Sequence, residues 1–371
     1  MRIAAIDISH HGLDLDPPFP AAWDPTPRQR FQISVVRLRT EDGTVGVGAG
    51  DPMPGFAGNE QLFVGQDLFA VDRHHRLIDN LSFHHGRCWP LDIALWDAIG
   101  KARKQPVWRL LGAAQTKVPV YASTGVRRTA EASVEQALRI TDMGFKALKL
   151  RLDPSCWPEE LERIGRVIEA VRPRDVEVMV DANQAWRMPW DHRPLWSHAD
   201  ARVVAQALDE MGAYWLEEPL HRGDVAALAT LRREAGGLRI AGGELLREMH
   251  DVQRYIDEQA VDVLQADVAM VGGLTGLNRL GRLARARAIE VSPHSWGDGI
   301  VLAANLQLVG AIGGCHYLEY PFDPPEWTPE RRDFALRHPI LPDADGTLAM
   351  PEAPGLGIEL DEDRLAATRI A

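Results

Sequence analysis

ALKLRL, residues 147–152, alternates without a break: Leu148, Leu150 and Leu152 fall on one face of a strand, Lys149 and Arg151 on the other. Alone it would read as a half-solvated edge strand. Its surroundings argue otherwise. Short apolar strands also fit near 118–122, 177–182, 214–217, 239–243, 261–266, 289–293 and 316–319, separated by amphipathic helical stretches such as 131–142 and 159–172. Eight strands at about 25–35-residue intervals, joined by helices, predict a (β/α) barrel. In a barrel the leucines pack on the helices and the two cations point inward, where no solvent would reward them. They need a function there.

Working outward, residues 33–49 read as a hairpin turning at Glu41-Asp42-Gly43, and 90–111 as a helix followed by a short second one opened by Pro106 and closed by Gly112. The chain of 371 residues suits about two domains on a prior of roughly 150 residues each. These are an N-terminal α+β unit (1–112) and a barrel (113–321), with an irregular Pro- and acid-rich tail (322–371) after it. A net charge of −12 argues against a nucleic-acid or anionic-membrane partner. The N-terminus meets polar and charged residues too early for a signal sequence, and no apolar run spans a membrane. Cys88, Cys156 and Cys315 are too few and scattered for a disulfide framework or a zinc site. A cytoplasmic location is the expectation.

Barrel enzymes place their chemistry at the C-terminal strand ends. Three successive predicted strands end in acids: Asp181 in VMVDAN, Glu217 in YWLEEP and Glu244 in IAGGE. One such acid is more often a helix cap. Three at one height would repel one another unless neutralised, and oxygen-only ligands suit a hard cation, Mg²⁺ before Mn²⁺. Opposite them, Asp267 ends VDVLQAD, His294 follows IEVSP and Glu319 ends HYLE. The neighbouring strands let Asp267 orient His294 as a general base. Asn183 and Trp296, with Lys149 and Arg151, are candidate substrate contacts.

ALWDAIGKARKQPVWRLLG (94–112), GFKALKLR (144–151), VDANQAW (180–186), WLEEPL (215–220), GGE (242–244), ADVAMVGG (266–273), SPHSW (292–296) and DGTLAMPEAPGLGIEL (345–360) resemble the enolase superfamily, in its order and nearly end to end. The resemblance implies an α/β fold, a modified (β/α)7β barrel of the TIM type under an α+β capping domain that the tail 322–371 completes. It implies one Mg²⁺ on Asp181, Glu217 and Glu244, a His294–Asp267 dyad, Glu319 as hydrogen-bonding partner of an enediolate intermediate, and a homo-oligomer. Aspartate at 267 points to the mandelate racemase-like subgroup. That subgroup usually carries Lys-x-Lys on the second strand. Here the pair is Lys149-x-Arg151, and arginine is a poor proton acceptor but a good anion clamp.

The activity implied is removal of a proton next to a carboxylate on a small molecule. With arginine at 151, one competent base remains, which favours dehydration of an acid sugar to its 2-keto-3-deoxy acid. Racemisation or epimerisation of a 2-hydroxy acid is the alternative, and a non-catalytic binding protein the alternative of another class. Substrate selection falls to a capping loop near 10–31 and to the segment 184–198, whose Trp186, Trp190 and Trp196 are either a lid or plain packing. GVGAG (46–50) lacks the Gly-Lys-Ser/Thr of a phosphate loop and reads as a strand. The pairs His10-His11, His74-His75 and His84-His85 read as surface residues, and the first barrel strand lacks the His-x-His of a metal-dependent amidohydrolase.

Overall fold

The computed structural model describes residues 1–370. Three antiparallel strands open the chain: β1 (Ile3–Phe19), β2 (Arg28–Thr40) and β3 (Val45–Gly50), in that spatial order. The β2–β3 turn closes with Thr40 N–H donating to the Thr44 carbonyl, and Gly43 takes the positive φ that the turn requires. Helices α1 (Val71–His85), α2 (Pro90–Arg103) and α3 (Val107–Leu111) follow. Helix α2 lies so close on β3 that a Cβ at Gly46 or Gly48 would overlap the carbonyls of Ala94 and Pro90. The glycines of GVGAG thus serve helix–sheet approach and bind no phosphate.

Then strands and helices alternate: β4 (Lys117–Ser123), α4 (Ala130–Asp142), β5 (Ala147–Arg151), α5 (Trp157–Val171), β6 (Glu177–Asp181), α6 (His198–Met211), β7 (Trp215–Glu217), α7 (Val225–Glu234), β8 (Arg239–Gly242), α8 (Met249–Asp257), β9 (Val263–Leu264), α9 (Gly273–Ala286), β10 (Glu290–Val291), α10 (Gly299–Ile312) and β11 (Leu318–Pro321). Eight parallel strands with seven intervening helices run β10-β9-β8-β7-β6-β5-β4-β11. At the β10–β11 seam, Ser292 Oγ donates to the Tyr317 carbonyl at 2.6 Å. All eight expected strands are present. Leu148, Leu150 and Leu152 join the continuous core between sheet and helices, while Lys149 and Arg151 are buried on the inner side.

Two buried acids lock helix α2 to its neighbours. Asp97 accepts from Val47 N (2.8 Å), Leu356 N (2.8 Å) and Lys101 Nζ (2.6 Å). Asp92 accepts from Thr275 N (3.0 Å) and Thr275 Oγ1 (2.6 Å) on α9. The tail returns as well: β12 (Thr347–Ala349) pairs with β4, and isolated bridges join Pro106 to Gly355 and His11 to Arg369.

Two sequence expectations need correction. The capping loop near 10–31 is mostly strand, because β1 runs to Phe19 and β2 begins at Arg28. Pro17 and Pro18 sit on an edge strand, where the register with β2 shifts between Asp14 and Phe19, so their missing N–H groups break no ladder. His11 and His74 are buried, not surface residues, and hydrogen-bond to the Leu365 and Asp67 carbonyls respectively. Among the described residues, no helix is long and apolar enough to cross a membrane.

Candidate active site

The parallel register places Arg151, Asp181 and Glu217 side by side at the ends of β5, β6 and β7. Glu244 follows two residues after β8. Carboxylate oxygens of Asp181, Glu217 and Glu244 all lie within 4.8 Å of one another, and all three residues are buried. The backbone turns sharply beside each: Asn183 and Glu218 adopt positive φ (46° and 48°), as does Gly243 (102°). A left-handed glutamate carries backbone strain of the kind that collects at functional sites.

Two cations rise between these acids. Lys149 Nζ donates to Glu217 Oε1 (2.6 Å) and Glu319 Oε1 (2.8 Å) and lies 3.7 Å from Asp181. Arg151 pairs with Asp181 and lies over the Trp23 ring at 4.8 Å. Burial would strip both of charge, but the surrounding carboxylates reverse that and hold both above their ordinary pKa. The acids remain in excess. Burial, reinforced by Asp181 and Glu319 against the pull of Lys149, pushes Glu217 up to about 7. Burial and Glu217 raise Glu244, and burial with Glu244 and Asp181 raises Glu218 well above the carboxylate range. Glu244 Oε1 accepts from Trp186 Nε1 (2.9 Å), yet its Oε2 is buried with no hydrogen-bond partner among the described residues. An unpartnered buried carboxylate oxygen inside an acid excess fits a hard divalent cation.

Across the site, His294 Nδ1 meets Asp267 Oδ2 at 3.0 Å, which leaves Nε2 for the cavity. Asp267 is itself held by Ala269 N (2.9 Å) and Asn305 Nδ2 (3.2 Å), and Asn305 also donates to the His294 carbonyl (2.8 Å). Burial would lower the imidazole, but Glu244, the Asp267 hydrogen bond and Glu319 outweigh it and raise His294 to about 9. Glu319 is buried, and both of its oxygens accept hydrogen bonds. Its Oε1 accepts from Lys149 and from Ser123 Oγ (2.7 Å), its Oε2 from Ser295 N (2.6 Å). Burial is overcome by Lys149 and His294, so its carboxyl is held well below the usual range.

A cavity of about 500 Å³ reaches three of these groups. Arg151, Glu244 and His294 line it, with Phe19, Trp23, Trp296 and Trp327 forming an aromatic wall. Trp296 stacks on Phe19 (5.6 Å between centroids) and donates to Ser123 Oγ (2.8 Å). Asn183 instead turns towards Asp181: its N donates to Oδ1 (2.8 Å) and its Nδ2 to Oδ2 (3.2 Å). Within 184–198, Trp186 reaches Glu244, Trp196 donates to the Pro154 carbonyl (3.1 Å), and Trp190 is exposed. Sequence reading missed Glu218, Ser123 and Asn305, whose parts depend on partners more than 30 residues away in the chain or on a local backbone turn. It also missed the Trp186–Glu244 bond, although the run of tryptophans had marked the segment.

Comparison with known proteins agrees with this architecture. The description "Mandelate racemase / muconate lactonizing enzyme, N-terminal domain" matches residues 6–112, and "Enolase C-terminal domain-like" matches 132–364. The chain is 29% identical to the D-galactarolactone cycloisomerase of Agrobacterium fabrum, covering 100% of this chain and 99% of that protein. It is 28% identical to the arabinonate dehydratase of Saccharolobus solfataricus over 72% of this chain and 68% of that one. Among solved structures, the 3,6-anhydro-D-galactonate cycloisomerase of Zobellia galactanivorans superposes with a TM-score of 0.83 at 26% identity, covering 100% of both chains.

Proposed function

Since the chain belongs to the mandelate racemase/muconate lactonizing enzyme family of the enolase superfamily, we propose that it is a magnesium-dependent hydro-lyase that dehydrates an acid sugar to a 2-keto-3-deoxy acid. Asp181, Glu217 and Glu244 would hold the ion. When bound, Mg²⁺ supplies positive charge against the negative charge that grows on the substrate carboxylate as the α-proton leaves. The rest falls to side chains. Lys149 and Arg151, both kept protonated, stabilise the same charge from the β5 side. His294, oriented by Asp267, takes the α-proton at Nε2. It then returns that proton to the β-hydroxyl as the C–O bond breaks; water departs, and the enol left behind becomes the ketone. Trp23 and Trp296 flank Arg151 and shape the pocket.

One observation carries the choice of elimination over stereoinversion. Among the described residues that line the cavity, His294 is the one imidazole, while β5 presents two ion-paired cations that hold their protons. A second reading follows from the cycloisomerase aligned over the full chain: the leaving oxygen belongs to a ring, and the product is an isomer. Incubating acid sugars and their lactones with Mg²⁺ and weighing the products separates the two, since dehydration loses one water and isomerisation none. In either case His294→Asn should slow α-proton exchange with solvent by about 10²–10⁴-fold; full exchange in that variant would place the base elsewhere. The same proposal has a cap (1–112 with 322–371) over the barrel (113–321), in a cytoplasmic homo-oligomer acting on small carboxylates.

A further inference from the structure

The cavity that holds His294 and Glu244 is lined by arginines to an extent that a chain of net charge −12 does not foreshadow. Three are discharged locally: Arg28 by Asp24, Arg187 by Asp191 and Arg151 by Asp181. Arg87 has one carboxylate beside it, and Arg222 and Arg247 have none of their own. They come from separate segments, the α1–α2 connection and the stretches after β7 and β8, and share a single carboxylate. Arg87 NH1 meets Asp51 Oδ2 at 2.7 Å, whereas Arg222 and Arg247 form no salt bridge among the described residues. Arg222 NH1 reaches only the Ala185 carbonyl, at 3.1 Å. Arg87 Nε is buried without a partner. Repulsion from Arg87, with burial and Arg222 adding to it, lowers Arg247 from its ordinary value.

Three guanidiniums around one carboxylate repel one another, and packing offers no return for holding them there. A planar guanidinium fork is, however, built to grip a carboxylate or phosphate through two hydrogen bonds. Arg247 lies three residues beyond Glu244, so their Cα atoms are at most about 11 Å apart. A five- or six-carbon acid and an arginine side chain together bridge that span. We propose that Arg87, Arg222 and Arg247 form a second anion subsite, so that the preferred substrate is a dianion. One carboxylate lies among the β5–β8 strand ends, and a second anionic group, carboxylate or phosphate ester, lies at the far end of the carbon chain. This rests on the elimination reading above and narrows it.

The test compares kcat/KM of the Mg²⁺-loaded full chain for aldonic acids, aldaric acids and 6-phosphorylated aldonic acids at low ionic strength. Dianions should exceed monoanions by at least tenfold, and whichever dianion leads identifies the distal group. Arg247→Ala and Arg222→Ala should each cut the dianion-to-monoanion ratio at least fivefold, with Arg247→Lys restoring part of it. Calorimetry on the Mg²⁺-loaded protein adds a reading that needs no turnover: adipate should bind more tightly than hexanoate, and Arg247→Ala should remove the difference. Monoanions processed as well as dianions, or variants that leave the ratio unchanged, would overturn the subsite while leaving elimination intact. If no acid exchanges its α-proton, elimination fails, and the adipate comparison still decides the subsite.

Discussion

Two sets of buried carboxylates in this chain are completed in different ways. On α2, Asp97 is saturated by two backbone N–H groups and Lys101, and Asp92 by Thr275 twice. At the barrel mouth, Glu244 keeps a buried oxygen without a partner, and burial with mutual repulsion lifts Glu217, Glu218 and Glu244. Both sets are buried, so burial alone does not separate them. Completeness of bonding does. A saturated buried acid holds structure together; an unsaturated cluster costs stability until a cation arrives.

The comparison breaks most visibly under exchange of carboxylate for amide. Glu244→Gln keeps the Trp186 bond but removes one charge from the cluster. Turnover should fall by roughly a thousandfold or more, while the metal-free protein melts at the same temperature or higher. A large loss of metal-free stability would class Glu244 with Asp97. The converse variant, Asp97→Ala, leaves two backbone donors without an acceptor and Lys101 with the Val45 carbonyl alone. It should cost about 3 kcal/mol of unfolding free energy in denaturant titration and leave Mg²⁺ affinity per folded molecule unchanged. Altered affinity there would mean that the two acid sets are coupled.

Acidity sharpens the contrast on a smaller scale. Glu217 sits at about 7 in the folded chain against an ordinary value of 4.5. Between those values the folded state binds the extra proton, so this group destabilises the metal-free protein as pH rises through that window. A cation needs the carboxylate ionised. The rise in melting temperature produced by Mg²⁺ should therefore grow from about pH 5 to about pH 8; a pH-independent rise would remove Glu217 from the site.

Much of this was legible beforehand because β-structure fixes direction. Alternation in ALKLRL aims Lys149 and Arg151 inward, and a parallel register puts the residues that end successive strands at one height. Asp181 and Glu217 could thus be found by position alone, while Glu244, Asp267 and His294 lie two or three residues past their strands. Beyond the strand ends that constraint lapses. β1 was hidden by Pro17 and Pro18, which reads as a loop unless the edge position is known. The cavity wall of Phe19, Trp23 and Trp327 comes from segments about 300 residues apart in sequence. No periodicity links Arg87 to Arg222 and Arg247. Loop residues meet only through the fold.

The central claim is that one proton carrier, His294, works opposite two fixed cations. It is tested most directly by incubating a single-epimer acid sugar with the Mg²⁺-loaded protein in deuterated water, then measuring configuration and deuterium content of recovered substrate beside the product. The account predicts keto acid formed with water lost, and recovered substrate of unchanged configuration, with or without deuterium at the α-carbon. Recovery of the inverted epimer, formed faster than any elimination product, would contradict it and require a second proton carrier on the Arg151 face.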